Sequence, residues 1–136
     1  MLSVQVVLVA LFLHASAASA DALTAPGFPN MTACSGSIDP PVGCVTIPIV
    51  SDSCFDFIGG ASGLNKEVSW VQVPAEYVCT YFQNFGCLAV EEYDHTMLTN
   101  GTWNMLDVPT ASGTQNFNDL TSSFNCVRSD GAASGV

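Results

Sequence analysis

Six cysteines, Cys34, Cys44, Cys54, Cys79, Cys87 and Cys126, constrain this chain more than any other feature. An even count in a short chain behind an apolar leader reads as a disulfide framework, not as zinc ligands or nucleophiles. No C-x-x-C pair occurs, and His95 is the only histidine after His14, so a tetrahedral thiolate–imidazole site has no ligand spacing to build on. Three bridges can be drawn in about 15 ways. Hairpin spacing favours Cys79 with Cys87, and the repeat described below favours Cys44 with Cys54. Cys34 is then left to tie the leader to Cys126.

The leader supports an oxidising destination. "VQVVLVALFLHASA" is an apolar run followed by small residues at Ala18–Ala20, which predicts a signal peptide over 1–20. No later stretch is apolar enough for a transmembrane helix. The expected product is secreted, extracellular, monomeric and not inserted in a membrane. "NMT" at Asn30 and "NGT" at Asn100 are glycosylation sequons.

Charge removes further classes. Twelve acids face two bases, Lys66 and Arg128, for a net charge of −10. Nucleic acid and anionic membrane are therefore excluded as partners, and cations are favoured.

Residues 21–43 are rich in Pro, Gly and Ser and read as a leader; 130–136 read as a disordered tail. Between them, 44–129 alternate strand and turn signals. "CVTIPIV" sets Val45, Ile47 and Ile49 on one face, with Pro48 marking an edge strand or bulge. "FDFIGG", "VSWVQVP", "EYVCTYF", "GTWNML" and "SFNCVR" follow. No segment sustains a helical period, so the fold class is all-β, a disulfide-stabilised sandwich. A repeat runs through it. Asn65 to Ser69 and Asn118 to Ser122 each place Asn, three residues and Ser before a strand. Two such units would pack as Greek keys, the second lengthened by an insertion near 88–115.

These residues resemble the βγ-crystallin superfamily, in particular its small secreted microbial members, over roughly 44–128. "NDLTSS", Asn118–Ser123, matches that family's calcium motif of Asn/Asp, Asn/Asp, two free positions, Ser/Thr and Ser. "CTYFQNFGC" resembles the aromatic-x-Gly hairpin that opens each Greek key, though one residue short, and "FDFIGG" offers Phe57-x-Gly59. The resemblance implies two motifs facing each other across a pseudo-twofold, each ion drawing ligands from both. Asn118, Asp119 and Ser122 carry over well. In "NKEVSW", Asn65 and Ser69 match, but Lys66 puts a cation where an oxygen ligand belongs. The resemblance therefore implies at most one good Ca2+ site. Calcium wants about six to eight oxygens, which such a turn concentrates. The same residues also serve a plain turn through side-chain to backbone bonds.

No G-x-S-x-G elbow or phosphate loop occurs, and "EEYDH", Glu91–His95, reads as a solvated loop. Trp70, Trp103, Phe82 and Phe85 are expected in the core. The function expected is that of a non-enzymatic structural or interaction protein with a weak calcium site and an unknown extracellular partner. The resemblance also implies an alternative, because similar folds serve as toxins and as a protease inhibitor; an exposed loop within 88–115 would then carry the activity.

Overall fold

Alternating burial sets the strands. In Trp70–Val73, Val71 and Val73 are buried while Gln72 between them is exposed. Successive side chains of a strand point to opposite faces, so the valines line the core and the glutamine meets solvent. The computed structural model describes residues 29–129, and the expectations for 1–20, for the first part of the leader and for 130–136 lie outside them. The strands are β1 Asn30–Cys34, β2 Cys44–Pro48, β3 Cys54–Asp56, β4 Trp70–Val73, β5 Tyr77–Phe82, β6 His95–Leu98, β7 Gly101–Asn104, β8 Val108–Thr110, β9 Gly113–Gln115 and β10 Ser123–Arg128.

Two four-stranded antiparallel sheets form, in the orders β2-β1-β4-β7 and β3-β10-β5-β6. The first four strands are one Greek key; β5, β6, β7 and β10 are the other. Each half sends its third strand to the other sheet, since β3 pairs with β10 and β7 pairs with β4. Between the third and fourth strands the first half has a 3-10 helix, Gly59–Leu64, and the second half has the β8–β9 hairpin. Pro48 lies on edge strand β2, where its missing N–H leaves no ladder bond unmade.

The core lies between the sheets. Met31, Ala33 and Val71 from one and Cys79, Tyr81 and Leu98 from the other are fully buried. Phe55, Phe57, Tyr81 and Phe124 form an aromatic group, with ring centroids 5.3 to 5.8 Å apart. Trp70 and Trp103 are half-buried. Phe82 is buried, but Phe85, expected inside, is 48 % exposed because it sits past the end of β5 in a turn.

Several expectations are corrected here. The domain does not begin at Cys44. Asn30–Cys34, placed in the leader on composition, is an interior strand between β2 and β4. "FDFIGG" is therefore not an opening hairpin; the first half opens with β1–β2. Nor is 88–115 simply an insertion, because it contains β6 and β7, two obligatory strands of the second Greek key. Only the β8–β9 hairpin is extra.

The disulfides pair as Cys34–Cys44, Cys54–Cys87 and Cys79–Cys126, so all three expected pairings are wrong. Strand register decides the true ones. Cys34 stands opposite Cys44 across β1–β2, and Cys79 opposite Cys126 across β5–β10. Cys44 and Cys54 belong to different sheets. Cys79 faces the core, while Cys87 lies in the β5–β6 loop and reaches β3 instead. No free cysteine remains among the described residues. Three bridges fit an oxidising compartment, and no helix among the described residues is long and apolar enough to cross a membrane.

Candidate cation site

The two Asn-x-x-x-Ser segments meet at the pseudo-twofold, and their backbone bonds come in matched pairs. Ser69 N–H donates to Cys34 O at 2.9 Å, and Ser122 N–H to Phe82 O at 2.8 Å. Met105 N–H donates to Ser69 O at 2.9 Å, and Phe57 N–H to Ser122 O at 3.0 Å. Glu67 N–H reaches Leu64 O at 3.0 Å, and Leu120 N–H reaches Phe117 O at 3.3 Å. The loops also bond each other reciprocally. Lys66 N–H donates to Thr121 O at 2.9 Å, and Asp119 N–H donates to Val68 O at 3.0 Å. Lys66 and Asp119 share one left-handed backbone conformation, φ 61° at both. They are equivalent positions of one motif used twice.

The equivalence extends to the opening hairpins. Ser35 N–H donates to Gly43 O at 3.0 Å, and Gln83 N–H to Asp94 O at 2.8 Å. Ser35 thus corresponds to Gln83. Gly43 has φ 63°, and a Cβ there would collide with the Ser35 hydroxyl, so the tight first hairpin needs glycine.

The side chains break this symmetry. Lys66 Nζ donates to Gln83 O at 2.6 Å and to Leu120 O at 2.9 Å. By the matched pairs above, the counterparts of these partners are Ser35 O and Glu67 O, and the counterpart of the ammonium is the Asp119 carboxylate. An ammonium beside two carbonyl oxygens is satisfied. Two carbonyls offer a carboxylate no donor, and the exposed Asp119 side chain makes no hydrogen bond or ion pair to the protein among the described residues. Partial burial pulls the Lys66 pKa down from its ordinary value; the two carbonyl acceptors act the other way, favouring the charged form.

A structure from work on the evolution of the eye-lens βγ-crystallin domain fold is similar to this chain, with a TM-score of 0.52 and 19 % identity over 76 % of this chain and 89 % of that one. The chain has the βγ-crystallin domain fold. Two other solved structures are similar at lower scores. One is the N-terminal domain of protein S, with a TM-score of 0.49 and 17 % identity over 74 % of this chain and 97 % of that one. The other is a variant of a βγ-crystallin domain from Clostridium beijerinckii, with 0.47 and 12 % over 73 % and 98 %. No protein-family model and no curated protein matches the chain.

Within this βγ-crystallin fold, Asn65, Ser69, Asn118, Asp119 and Ser122 all lie in the two facing loops. No cluster of three or more His, Cys, Asp or Glu side chains able to hold a metal exists among the described residues. Any cation here would depend on backbone carbonyls, amides and hydroxyls, the hard oxygens calcium accepts. On the Asp119 side the residue types are compatible with a cation: the Asp119 carboxylate is exposed, and the symmetry counterparts of the two Lys66 partners are the carbonyls of Ser35 and Glu67. Asn65 Oδ1 and Thr121 Oγ1, also in the loops, are buried without a hydrogen-bond partner. On the Lys66 side the residues do not fit a metal, because a cation is already in place. Sequence reading found Lys66 as a mismatch but missed Gln83, whose carbonyl carries no side-chain signature.

"EEYDH" is not simply a solvated loop. Asp94 is buried, and its Oδ2 accepts from Val90 N–H at 2.7 Å, Glu91 N–H at 2.9 Å and Asn84 Nδ2 at 3.2 Å. The backbone N–H groups of Glu91 and Val90 hold its pKa down to about 2. Its Oδ1 lies 3.1 Å from His95 Nδ1, and the imidazole stacks on Phe82 with centroids 6.2 Å apart. The cleft beside His95 is lined by residues including Tyr93, Met97, Thr110 and Gln115, with no serine, cysteine or lysine. Asp94 is thus a turn-former for β5–β6. Both sequons are exposed, Asn30 on β1 and Asn100 in the β6–β7 turn.

Proposed function

We propose that this protein is a secreted, non-enzymatic extracellular protein of structural or interaction type, steadied by one weakly held calcium ion at the Asp119 side of the loop pair. The observation that carries this reading is Asp119, whose backbone is held left-handed with its N–H bonded to Val68 O and whose exposed carboxylate takes no donor from the protein among the described residues. A cation there would neutralise one of the chain's twelve acids. A site with one carboxylate and mostly neutral oxygens is weak, on the order of 10⁻⁴ to 10⁻³ M, in the range of extracellular calcium modules. At ten times Kd, calcium then raises stability by about 1.4 kcal/mol. Titration calorimetry with calcium, run beside a thermal melt, tests it. Binding lost in Asp119→Ala supports the reading. A wild-type melting temperature unmoved by millimolar calcium sinks it and leaves "NDLTSS" a turn.

One observation favours the second reading, a toxin, effector or protease inhibitor. The β5–β6 loop is braced to β3 by Cys54–Cys87 and exposes Phe85, Leu88 and Val90. This is a shorter segment than the 88–115 region expected to hold such a loop. Inhibition of a secreted protease that disappears in Leu88→Asp would favour it.

A further inference from the structure

Lys66 binds the second half of the molecule at three points. Its backbone N–H meets Thr121 O, and its ammonium meets Leu120 O and Gln83 O. Gln83 is itself an anchor of the β5–β6 loop, donating through its N–H to Asp94 O and through Nε2 to Tyr93 O. Two carbonyl oxygens from segments remote in sequence therefore converge on one point. Carbonyl dipoles that converge repel each other unless a donor or cation lies between them. In a chain with two basic residues and a net charge of −10, one of the two bases is placed there. The equivalent residue across the pseudo-twofold, Asp119, carries the opposite charge.

We infer that the Lys66 ammonium is the resident cation of the first half of the loop pair, a covalently supplied substitute for a metal ion. The Gln83–Leu120 carbonyl pair is then a cation site in its own right, closed to metals by the +1 charge already in it. Half of the dyad is independent of calcium, and the protein takes up no more than one ion. The inference does not require that calcium bind at Asp119, because Gln83 and Leu120 lie on the opposite side of the dyad.

Two variants test it. Lys66→Met keeps an unbranched side chain, one atom shorter, and the backbone cost of the left-handed position while removing the charge and both hydrogen bonds to carbonyls. In EDTA it should melt about 4–8 °C below the wild type. Lys66→Asp should lose at least as much in EDTA, recover in calcium, and take up one ion more than the wild type in the same titration. That increment is read as a difference, so it holds whether the wild type binds one ion or none. Equal melting of Lys66→Met and wild type in EDTA would overturn the inference. So would a Lys66→Asp variant that gains no ion or fails to fold with calcium present, or a wild-type stoichiometry of two.

Discussion

Removing one disulfide at a time separates the bridge that closes a long loop from the one that closes a short loop. Cys79 and Cys126 are 47 residues apart, whereas Cys34 and Cys44 are 10 apart. In the chain-entropy treatment, a cross-link restricts the unfolded chain by an amount that grows with the logarithm of the loop. The longer loop gives about 4 kcal/mol and the shorter about 2.7 kcal/mol. Both bridges join residues standing opposite each other on paired strands. Cys79 and Cys126 are both buried in the core while Cys44 is half-buried on edge strand β2, so lost core packing adds to the loop-length difference and does not offset it. The Cys54–Cys87 bridge does not shorten the path from Cys79 to Cys126, so its presence leaves the comparison intact. Cys79→Ala/Cys126→Ala should therefore fall below Cys34→Ala/Cys44→Ala by at least about 1.3 kcal/mol, or roughly 5–10 °C or more in Tm. Guanidinium unfolding of both variants, with the remaining bridges verified by non-reducing peptide mapping, measures the difference. If the short-loop variant proves the less stable, the loop-entropy reasoning fails. A map joining Cys79 to Cys87 would contradict the strand register itself.

Acid should act in two stages. Protonating surface carboxylates relieves repulsion within a net charge of −10, so Tm in the metal-free state holds or rises from pH 7 to about 4.5. The Asp94 pKa is depressed to about 2 in the folded state, so its bonds stabilise fully above its ordinary value near 3.9 and are lost as pH falls toward 2. Calorimetry across pH should show the fall below about 4, and Asp94→Asn should flatten it. Phe124→Ala, which opens a hole among Phe55, Phe57 and Tyr81, should cost about 3–5 kcal/mol in equilibrium unfolding. Expression in a glycosylating host should add glycan at the exposed Asn30 and Asn100, seen as mass removed by an amidase, and Thr102→Ala should abolish the second.

What could be read from sequence followed from how local each signal is. Val71 and Val73 around Gln72 announce β4, and Pro48 announces an edge. The Asn-x-x-x-Ser repeat identified two loops that do face each other. β1 was hidden because "NMTAC" sits among prolines and glycines, although Met31 and Ala33 alternate properly and are fully buried. β6 was hidden behind the acids of "EEYDH", one of which, Asp94, is a buried turn-former. The disulfides depended on which strands become neighbours, a property of topology that no spacing of cysteines encodes. For the site, side chains were legible and carbonyls were not. Lys66 stood out as a mismatch, but its partners Gln83 O and Leu120 O are backbone atoms that any residue supplies.

The exchange of third strands has a temporal meaning. β3 lies against β10, the last of the described strands to be synthesised. The first Greek key therefore cannot bury Phe55 and Phe57 when its own four strands have emerged; it waits for Phe124. Pairings this remote in sequence fold slowly, since loop closure must precede the contacts that reward it. During that wait the two halves are an open clasp, and Cys54 has no partner until Cys87 arrives. A chain divided between β4 and β5 would yield two fragments, each holding a strand that only the other can complete.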